Sequence, residues 1–273
     1  MSGAGRPPAV WGAGVGGASA VLAAISVGVL AAQARQAKRA IGRLHQVPPY
    51  QDGRFGPVTG TSLRLAVLGD SAAAGLGADV AADTVAGVLV RGVLAATGRP
   101  VLMTNHAVVG AQSLDLERQV TRALSQRPHV AVIIIGANDV THFVPARLAA
   151  RQLAGQVQRL RDAGCAVVIG TCPDLGTIRP VGPPLRTLAR RNSRAMATAQ
   201  ARATRPLGAS TVNLHALLGP EFVANAETFF SRDRFHPSGL GYRRIGAALL
   251  PAVLAALGVQ PDMGRRAITA APH

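Results

Sequence analysis

The sequence predicts an α/β fold in which helices cover both faces of a parallel sheet. From Leu63 onward, short apolar runs alternate with longer amphipathic stretches, and this alternation is typical of parallel strands joined by helices. The first run, Leu65 to Leu68, is apolar throughout and stops at Gly69, as expected of a buried strand. The 273 residues are enough for one domain of about 200 residues plus an appendage.

Five strands and five long helices are predicted in alternation. The strands are expected at Leu63 to Leu68, Val101 to Asn105, Val130 to Ile135, Ala166 to Thr171 and Thr211 to Leu214. The helices are expected at Thr84 to Ala96, Leu114 to Leu124, Pro145 to Ala163, Leu185 to Ala203 and Ser238 to Leu257. The sequence therefore predicts a five-stranded parallel sheet between two helical layers.

The amino-terminal stretch from Ala9 to Ala32 contains no charged side chain. As a helix with a rise of about 1.5 Å per residue it would span about 36 Å, enough to cross a bilayer core of about 30 Å. A single-pass N-terminal membrane anchor is therefore predicted. The alternative is a signal peptide cleaved near Ala32-Gln33-Ala34, which would release a secreted protein. The length of the run and the basic residues after it favour the uncleaved anchor.

The side of the membrane stays open. Four basic residues follow the apolar stretch and one precedes it, so the positive-inside rule directs the rest of the chain to the cytoplasm, whereas export needs the opposite orientation. The predicted organisation is a membrane segment with its basic flank at 1–46, an irregular Pro/Gly-rich linker at 47–62, a globular domain at 63–258 and a C-terminal tail at 259–273.

The formal net charge is +16, which raises nucleic acid or an anionic membrane surface as a partner. The basic residues are almost all arginine and are scattered, and only 3% of the residues are aromatic, so little is available to stack on bases. No nucleic-acid-binding motif is present, and a nucleic-acid partner is not predicted. The oligomeric state is not predicted either.

The two cysteines flank one predicted strand. At about 3.3 Å per residue, the Cα atoms of Cys165 and Cys172 would lie about 23 Å apart, well beyond the roughly 4.4 to 6.8 Å of a disulfide. Both are therefore expected to be free. No Cys/His spacing indicates a metal site.

Polar blocks follow three of the strands, and a fourth precedes the last helix. They are Gly69-Asp70-Ser71, Asn105-His106 with Gly110, Gly136-Ala137-Asn138-Asp139, and Asp233-Arg234-Phe235-His236-Pro237. Each alone could be an ordinary turn or helix cap. Together and in this order they resemble the SGNH hydrolase (GDSL-type esterase/lipase) family, over roughly Leu63 to Leu257.

The resemblance implies a flavodoxin-like three-layer α/β/α fold and a serine esterase without a metal or organic cofactor. It also implies an oxyanion hole built from the backbone N–H of Ser71, the N–H of Gly110 and the side chain of Asn138. A glycine suits the second position because a backbone donor must approach the substrate without a Cβ.

The chemistry of the residues in these blocks agrees with a serine esterase. A serine hydroxyl needs a base to take its proton, so Ser71 requires an imidazole within hydrogen-bond reach, and His236 is the candidate. Asp233, three residues earlier, is placed to hold the other ring nitrogen and to stabilise the imidazolium. The predicted catalytic residues are therefore Ser71, His236 and Asp233.

The expected substrate is a small-molecule, glycan or lipid ester with a short acyl group, such as an O-acetyl group on an envelope glycan, because few large aromatic residues are available for a long acyl tunnel. A thioesterase or lysophospholipase is the nearest alternative. A catalytically silent, membrane-anchored binding protein of the same fold is the alternative from another class. The loop from Thr171 to Pro184 is expected to shape the pocket, with Cys172 a candidate for its lining.

Overall fold

The structure, a computed structural model, describes residues 28–36, 39–40, 46–49 and 51–259. Residues 28–36 and 39–40 are helical, and the residues from 51 onward form a mixed sheet of six strands in the order β1-β3-β2-β4-β5-β6. The strands are β1 (Gly53–Phe55), β2 (Leu63–Gly69), β3 (Val101–Asn105), β4 (Val130–Ile134), β5 (Ala166–Gly170) and β6 (Ser210–Val212).

Five of these strands are parallel, and all five were predicted within a few residues of their bounds. The prediction of a sheet with only five strands was wrong, because β1 pairs with β3 in the antiparallel direction. This strand has three residues, lies at the edge of the sheet, and comes from the stretch predicted to be an irregular linker. So short a segment carries no period that a pattern could detect.

Nine helices are present among the described residues after position 50. They are α1 (Ser71–Ala74), α2 (Val85–Thr97), α3 (Leu116–Ser125), α4 (Ala137–Thr141), α5 (Ala146–Asp162), α6 (Leu185–Thr204), α7 (Leu214–Ala224), α8 (Ala226–Phe229) and α9 (Gly239–Ala256). The five long helices predicted from the sequence correspond to α2, α3, α5, α6 and α9. The other four were not predicted, and the predicted fifth strand ends two residues early because Leu214 begins α7.

The sheet is buried on both faces, and strand β2 illustrates how. Leu65 and Val67 pack into the core under α2 and α9, whereas Ala66 and Leu68 pack into the core under α3 and α5. Successive side chains of a strand point to opposite faces, so a strand between two helical layers must be apolar at every position. This accounts for the uninterrupted apolar run in the sequence.

No helix among the described residues is long and apolar enough to cross a membrane. The predicted anchor, Ala9 to Ala32, lies outside the described residues except for positions 28–32. Cys165 and Cys172 are both free and buried, as predicted.

The end of β2 is closely packed against β4. Gly69 has a φ of +138°, and a Cβ built on it would lie 1.8 Å from the carbonyl oxygen of Ile134. Backbone cannot yield to such a contact as a flexible side chain can, so this position requires glycine.

We predict that Gly69→Ala destabilises the protein by about 3 kcal/mol or more, because the added methyl group forces β2 away from β4. Urea denaturation followed by circular dichroism measures the change. The matched control is Gly155→Ala in α5, where an added Cβ meets nothing within 4 Å and the free energy of unfolding should stay equal or rise. Equal stability of the two variants would contradict the prediction.

Candidate active site

Ser71 lies at the carboxyl edge of the sheet, where β2 turns into α1. Asp70 has extended backbone and caps α1, its Oδ1 accepting a hydrogen bond of 2.9 Å from the N–H of Ala72. Ser71 is therefore the first residue of the helix, and its N–H has no acceptor within that helix. The turn is closed by Gly75, whose φ of +84° ends the helix after one turn.

Ser71, His236 and Asp233 form one hydrogen-bonded chain. Nε2 of His236 lies 3.1 Å from Oγ of Ser71, and Nδ1 of the same ring lies 2.6 Å from Oδ2 of Asp233. The structure thus brings together the three residues that the sequence predicted, across a separation of 165 positions between the serine and the histidine.

The carboxylate of Asp233 is almost completely buried and well supplied with donors. Its Oδ1 accepts from Oγ of Ser231 at 2.7 Å and from the N–H groups of Phe235 and His236, each at 2.9 Å. Burial alone would raise the pKa of Asp233, but the hydrogen bonds from His236, Phe235 and Ser231 outweigh it and lower the pKa to about 2. An ionised carboxylate therefore faces the imidazole at neutral pH.

Hydrogen bonds to residues of α9, the helix that follows, hold the loop that carries His236. Ser238 caps α9, its Oγ accepting from the N–H of Gly241 at 3.2 Å and donating to the carbonyl oxygen of Thr228 at 2.6 Å. One turn into α9, the buried hydroxyl of Tyr242 donates to the carbonyl oxygen of Leu76 at 2.7 Å, just beyond α1. The histidine loop and the serine turn are therefore held to the same helix.

Gly110 lies on the loop after β3, and Asn138 lies in the first turn of α4, both beside the serine turn. The N–H of Val108 bonds to the carbonyl oxygen of Gly69 at 3.1 Å, which holds the Gly110 loop against the end of β2. Nδ2 of Asn138 donates to the carbonyl oxygen of Ala111 at 3.0 Å, so the amide joins α4 to the Gly110 loop. An amide nitrogen has two hydrogens, and the second is left for another acceptor. Within the described residues, no hydrogen bond joins either residue to Ser71.

Two buried glutamines support the site, and neither was predicted from the sequence. Gln119 in α3 holds the peptide of Gly69 at both ends, accepting from its N–H at 2.7 Å and donating to its carbonyl oxygen at 2.9 Å. Gln200 in α6 accepts from the N–H of Cys172 and donates to the carbonyl oxygen of Ile135, both at 2.8 Å. The sequence signal for Gln119 was a polar residue on the core face of α3, beside the apolar Leu116 and Val120.

A mostly apolar cavity of about 80 Å³ opens beside Ser71 and His236. One wall is the loop after β5, through Pro173 to Ile178, in agreement with the loop predicted to shape the pocket. A second wall comes from α7 and from the segment between α8 and His236, through Leu214, Leu218, Phe222, Phe230 and Phe235. Cys172 does not line this cavity but lies buried behind it, among Val140 and Met196.

Asp70 differs from Asp233 although it lies close by and is also buried. Burial raises the pKa of its carboxyl group to about 7, since only the hydrogen bonds from the N–H groups of Ala72 and Ala137 and the charge of His236 oppose the loss of solvent. Asp70 therefore positions the serine turn without a strong preference for the ionised form. Neighbouring Asp139 accepts from the N–H and Oγ of Ser113 and so ties the 3₁₀ turn before α3 to α4.

A hydroxyl, an imidazole and a carboxylate in series at the carboxyl edge of an α/β/α sheet are the arrangement found in serine hydrolases. Residues 67–244 match the GDSL-like Lipase/Acylhydrolase family. The chain therefore belongs to this family and is a carboxylic ester hydrolase.

Individual proteins resemble the chain over most of its length. It is 38% identical over 248 residues to the GDSL-like esterase Rv1075c of Mycobacterium tuberculosis (strain ATCC 25618 / H37Rv), which covers 86% of this chain and 79% of that protein. The solved structure of TesA is 22% identical, covers 71% of this chain and 99% of its own, and superimposes with a TM-score of 0.58. A catalytic mutant of Axe2, an acetylxylan esterase from Geobacillus stearothermophilus, is 18% identical, covers 74% and 97% of the two chains, and has a TM-score of 0.53. At these identities the two structures establish the fold alone.

We predict that Asp70→Asn changes how stability depends on pH. The pKa of Asp70 is about 7 in the folded protein and about 3.9 in the unfolded chain. Between these pH values the folded protein keeps a proton on Asp70 that the unfolded chain has released, so the free energy of unfolding of wild type falls as pH rises. Asp70→Asn has no carboxyl group at this position, so this fall in stability is absent. Relative to wild type, its free energy of unfolding should increase by about 2 kcal/mol between pH 5 and pH 8.

Urea denaturation of both proteins at the two pH values measures this difference. Asp79→Asn, which removes an exposed carboxyl group, is the matched control for the change of charge. A constant difference between wild type and Asp70→Asn across the two pH values would show that Asp70 does not carry the proton.

Proposed function

We propose that the chain hydrolyses short-chain acyl esters through an acyl-Ser71 intermediate. The observation that carries this proposal is the continuous hydrogen-bonded chain from the Ser71 hydroxyl through His236 to an ionised Asp233. Nucleophile, base and orienting carboxylate are all within hydrogen-bond distance without any rearrangement.

In the first half-reaction, Nε2 of His236 takes the proton of the Ser71 hydroxyl while Oγ forms a bond to the carbonyl carbon of the ester. The carbonyl π electrons move to oxygen and give a tetrahedral oxyanion. As it collapses, the bond to the leaving alcohol breaks and His236 returns the proton to the departing oxygen. Asp233 stabilises the transient imidazolium and holds the ring in the required orientation.

In the second half-reaction, a water molecule takes the place of the alcohol. His236 accepts one of its protons, the water oxygen bonds to the acyl carbon, and the Ser71 ester bond breaks with return of the proton to Oγ. The products are the free acid and the restored serine. Neither half-reaction calls for a metal or an organic cofactor.

The proposed oxyanion donors are the N–H of Ser71, the N–H of Gly110 and the amide of Asn138. The hydrogen bond from Asn138 to Ala111 supports this role, because it fixes one amide hydrogen and so orients the other before substrate arrives. Preorganised donors of this kind are typically worth about 10²-fold or more in rate each.

The cavity supports an apolar acyl group of modest size. Its lining is predominantly apolar, so an acyl chain gains by leaving water, and its volume of about 80 Å³ favours short chains. Acetyl esters of glycans are included, and the similarity to Axe2 is compatible with them. The apolar lining also favours the second candidate, a thioesterase or lysophospholipase with a longer acyl group.

We predict that Ser71→Ala abolishes ester hydrolysis, with a loss of at least about 10⁴-fold in kcat, because the acyl-enzyme cannot form. The full chain is assayed with p-nitrophenyl acetate, butyrate, octanoate and palmitate. Highest kcat/KM on acetate or butyrate supports the short-chain assignment, and highest activity on octanoate or palmitate supports the alternative.

The matched control is Ser125→Ala, which removes an exposed hydroxyl at the end of α3 and should retain full activity. Circular dichroism confirms that each variant is folded. Equal turnover by wild type and Ser71→Ala would assign the reaction to another nucleophile. A folded wild-type protein without turnover on any ester would favour a catalytically silent binding protein.

We further propose that residues 1–46 anchor the protein in a membrane through the uncharged stretch from Ala9 to Ala32. The length of this stretch and the basic residues that follow it support an uncleaved anchor over a signal peptide.

The full chain is therefore expected to stay in the membrane fraction after extraction at alkaline pH, with its amino terminus intact by mass spectrometry. A variant with Leu22→Arg and Val27→Arg should lose this association, because charges in the bilayer core are costly. Release of wild type by alkaline extraction would contradict the anchor, and a chain that begins near residue 35 would support cleavage and secretion.

A further inference from the structure

Exposed apolar side chains gather on the loops beside the candidate active site. Five large apolar residues near the carboxyl edge of β3 and β4 are solvent-accessible, and we refer to them as the apolar rim. They are Val108, Val109, Leu114, Phe143 and Leu148, and Phe143 is 73% exposed. Exposed apolar residues that occur together mark a binding surface more often than isolated ones do.

Hydrogen bonds join the segments that carry the rim. Two hydrogen bonds join the Gly110 loop and the 3₁₀ turn after it to α4: Asn138 donates to the carbonyl oxygen of Ala111, and Oγ of Ser113 donates to Asp139. Leu148 lies in the first turn of α5, which follows α4 after a short connection. The segments that carry the rim are therefore held to one another beside the proposed oxyanion donors.

A groove lined by arginines lies between α5 and α6, next to the rim. Its arginines are 147 and 151 of α5 and 191, 194 and 202 of α6, and its other lining residues are alanines and a threonine. Arg147 and Arg151 lie in the first two turns of α5, so the groove begins where the apolar rim ends at Leu148. We refer to these five residues as the arginine groove.

The arginine groove contains no opposing charge. Helices α5 and α6 together carry nine arginines and one acidic residue, Asp162 at the far end of α5. Within the described part of the chain, none of the five groove arginines makes an ion pair or a side-chain hydrogen bond. Their guanidinium groups are exposed and lie together without compensation, which is unfavourable unless an anion binds there.

We propose that the apolar rim and the arginine groove form one docking face for a bilayer that contains anionic phospholipid. Guanidinium groups bind phosphate through paired N–H donors, and apolar side chains next to them can enter the region between headgroups and acyl chains. Basic residues beside an apolar surface are the combination that interfacial membrane binding requires.

The amino-terminal part of the chain reaches the same helix. Nε2 of Gln33 donates to the carbonyl oxygen of Pro183 at 2.6 Å, and Oε1 of Gln33 accepts from the N–H of Leu185 at 3.1 Å. Leu185 is the first residue of α6, which carries three of the groove arginines. The uncharged stretch ends at Ala32, immediately before this contact, so a membrane that receives that stretch lies beside α6.

Docking through this face turns the carboxyl edge of the sheet, and with it Ser71, toward the bilayer. The proposal does not depend on ester hydrolysis, because its test measures contact with lipid and not turnover.

The test uses a single tryptophan as a reporter in the full chain. The sequence has one tryptophan, Trp11, which is replaced by phenylalanine. Phe143→Trp places the reporter on the rim, and Val58→Trp places it on a residue that is 90% exposed in the loop before β2, at the opposite edge of the sheet. The probes are vesicles of equal parts phosphatidylcholine and phosphatidylglycerol with brominated acyl chains, and vesicles of brominated phosphatidylcholine alone.

The fluorescence of Phe143→Trp is expected to be quenched by the anionic vesicles and only weakly by vesicles of phosphatidylcholine alone. The fluorescence of Val58→Trp is expected to be quenched only weakly by both kinds of vesicle. Adding Arg191→Gln and Arg194→Gln should reduce the ratio of docked to undocked protein about 30-fold. Adding Arg54→Gln and Arg99→Gln, which removes the same charge at the opposite edge, should leave the quenching unchanged. Any membrane insertion of the amino terminus is common to all variants.

Equal quenching of the two reporters by anionic vesicles would overturn the proposal. Unchanged quenching of Phe143→Trp after Arg191→Gln and Arg194→Gln are added would overturn it as well. No quenching of Phe143→Trp by anionic vesicles would likewise overturn it and would leave a soluble polyanion as the occupant of the groove. Circular dichroism of each variant confirms that the fold is intact.

Discussion

The position of Ser71 depends on how closely β2 approaches β4 at Gly69. The carbonyl oxygen of Ile134 occupies the space that a side chain would need, and the N–H of Asp70 bonds to that same oxygen at 3.1 Å. Gln119 holds the peptide of Gly69 from the helical layer. Because these contacts are to backbone, the serine turn has little freedom to shift. A serine hydroxyl that lies 3.1 Å from a histidine on a distant loop keeps that distance only if the turn that carries it is fixed in this way.

Asp70 and Asp233 show how local donors decide the charge state of two buried carboxyl groups in one site. Asp233 receives one hydrogen bond from a hydroxyl, two from backbone N–H groups and one from the imidazole, which together overcome its loss of solvent. Asp70 receives fewer, and burial dominates. The result is one permanent negative charge on the side of His236 away from the serine. A second full charge at Asp70 would compete with Asp233 for the imidazolium, so a raised pKa there limits that competition.

The sequence predicted the parallel strands and long helices because buried strands and amphipathic helices have distinct apolar periods. It did not predict β1, whose three edge residues carry no period, or α7, whose Gly219 and Pro220 argue against a helix. The proximity of Ser71, Asp233 and His236 was predicted because each of the three lies in a short motif. The glutamine contacts were not, because residues such as Gln119 bond to backbone 50 positions away, and nothing local in the sequence specifies that partner. The cavity was predictable only through its loop, since its walls come from several distant segments.

The arginine groove shows why scattered charge in a sequence is a poor guide to charge on a surface. Along the chain the arginines are dispersed and can be taken as compositional bias. Arg147 and Arg151 are four positions apart, and Arg191 and Arg194 are three apart, so each pair lies on one helical face. Since α5 and α6 pack side by side with small residues between them, the two faces combine into a single basic surface. Residues in the core, such as Leu153 and Met196, fix the rotation of each helix, so the same packing that buries the sheet determines which charges meet.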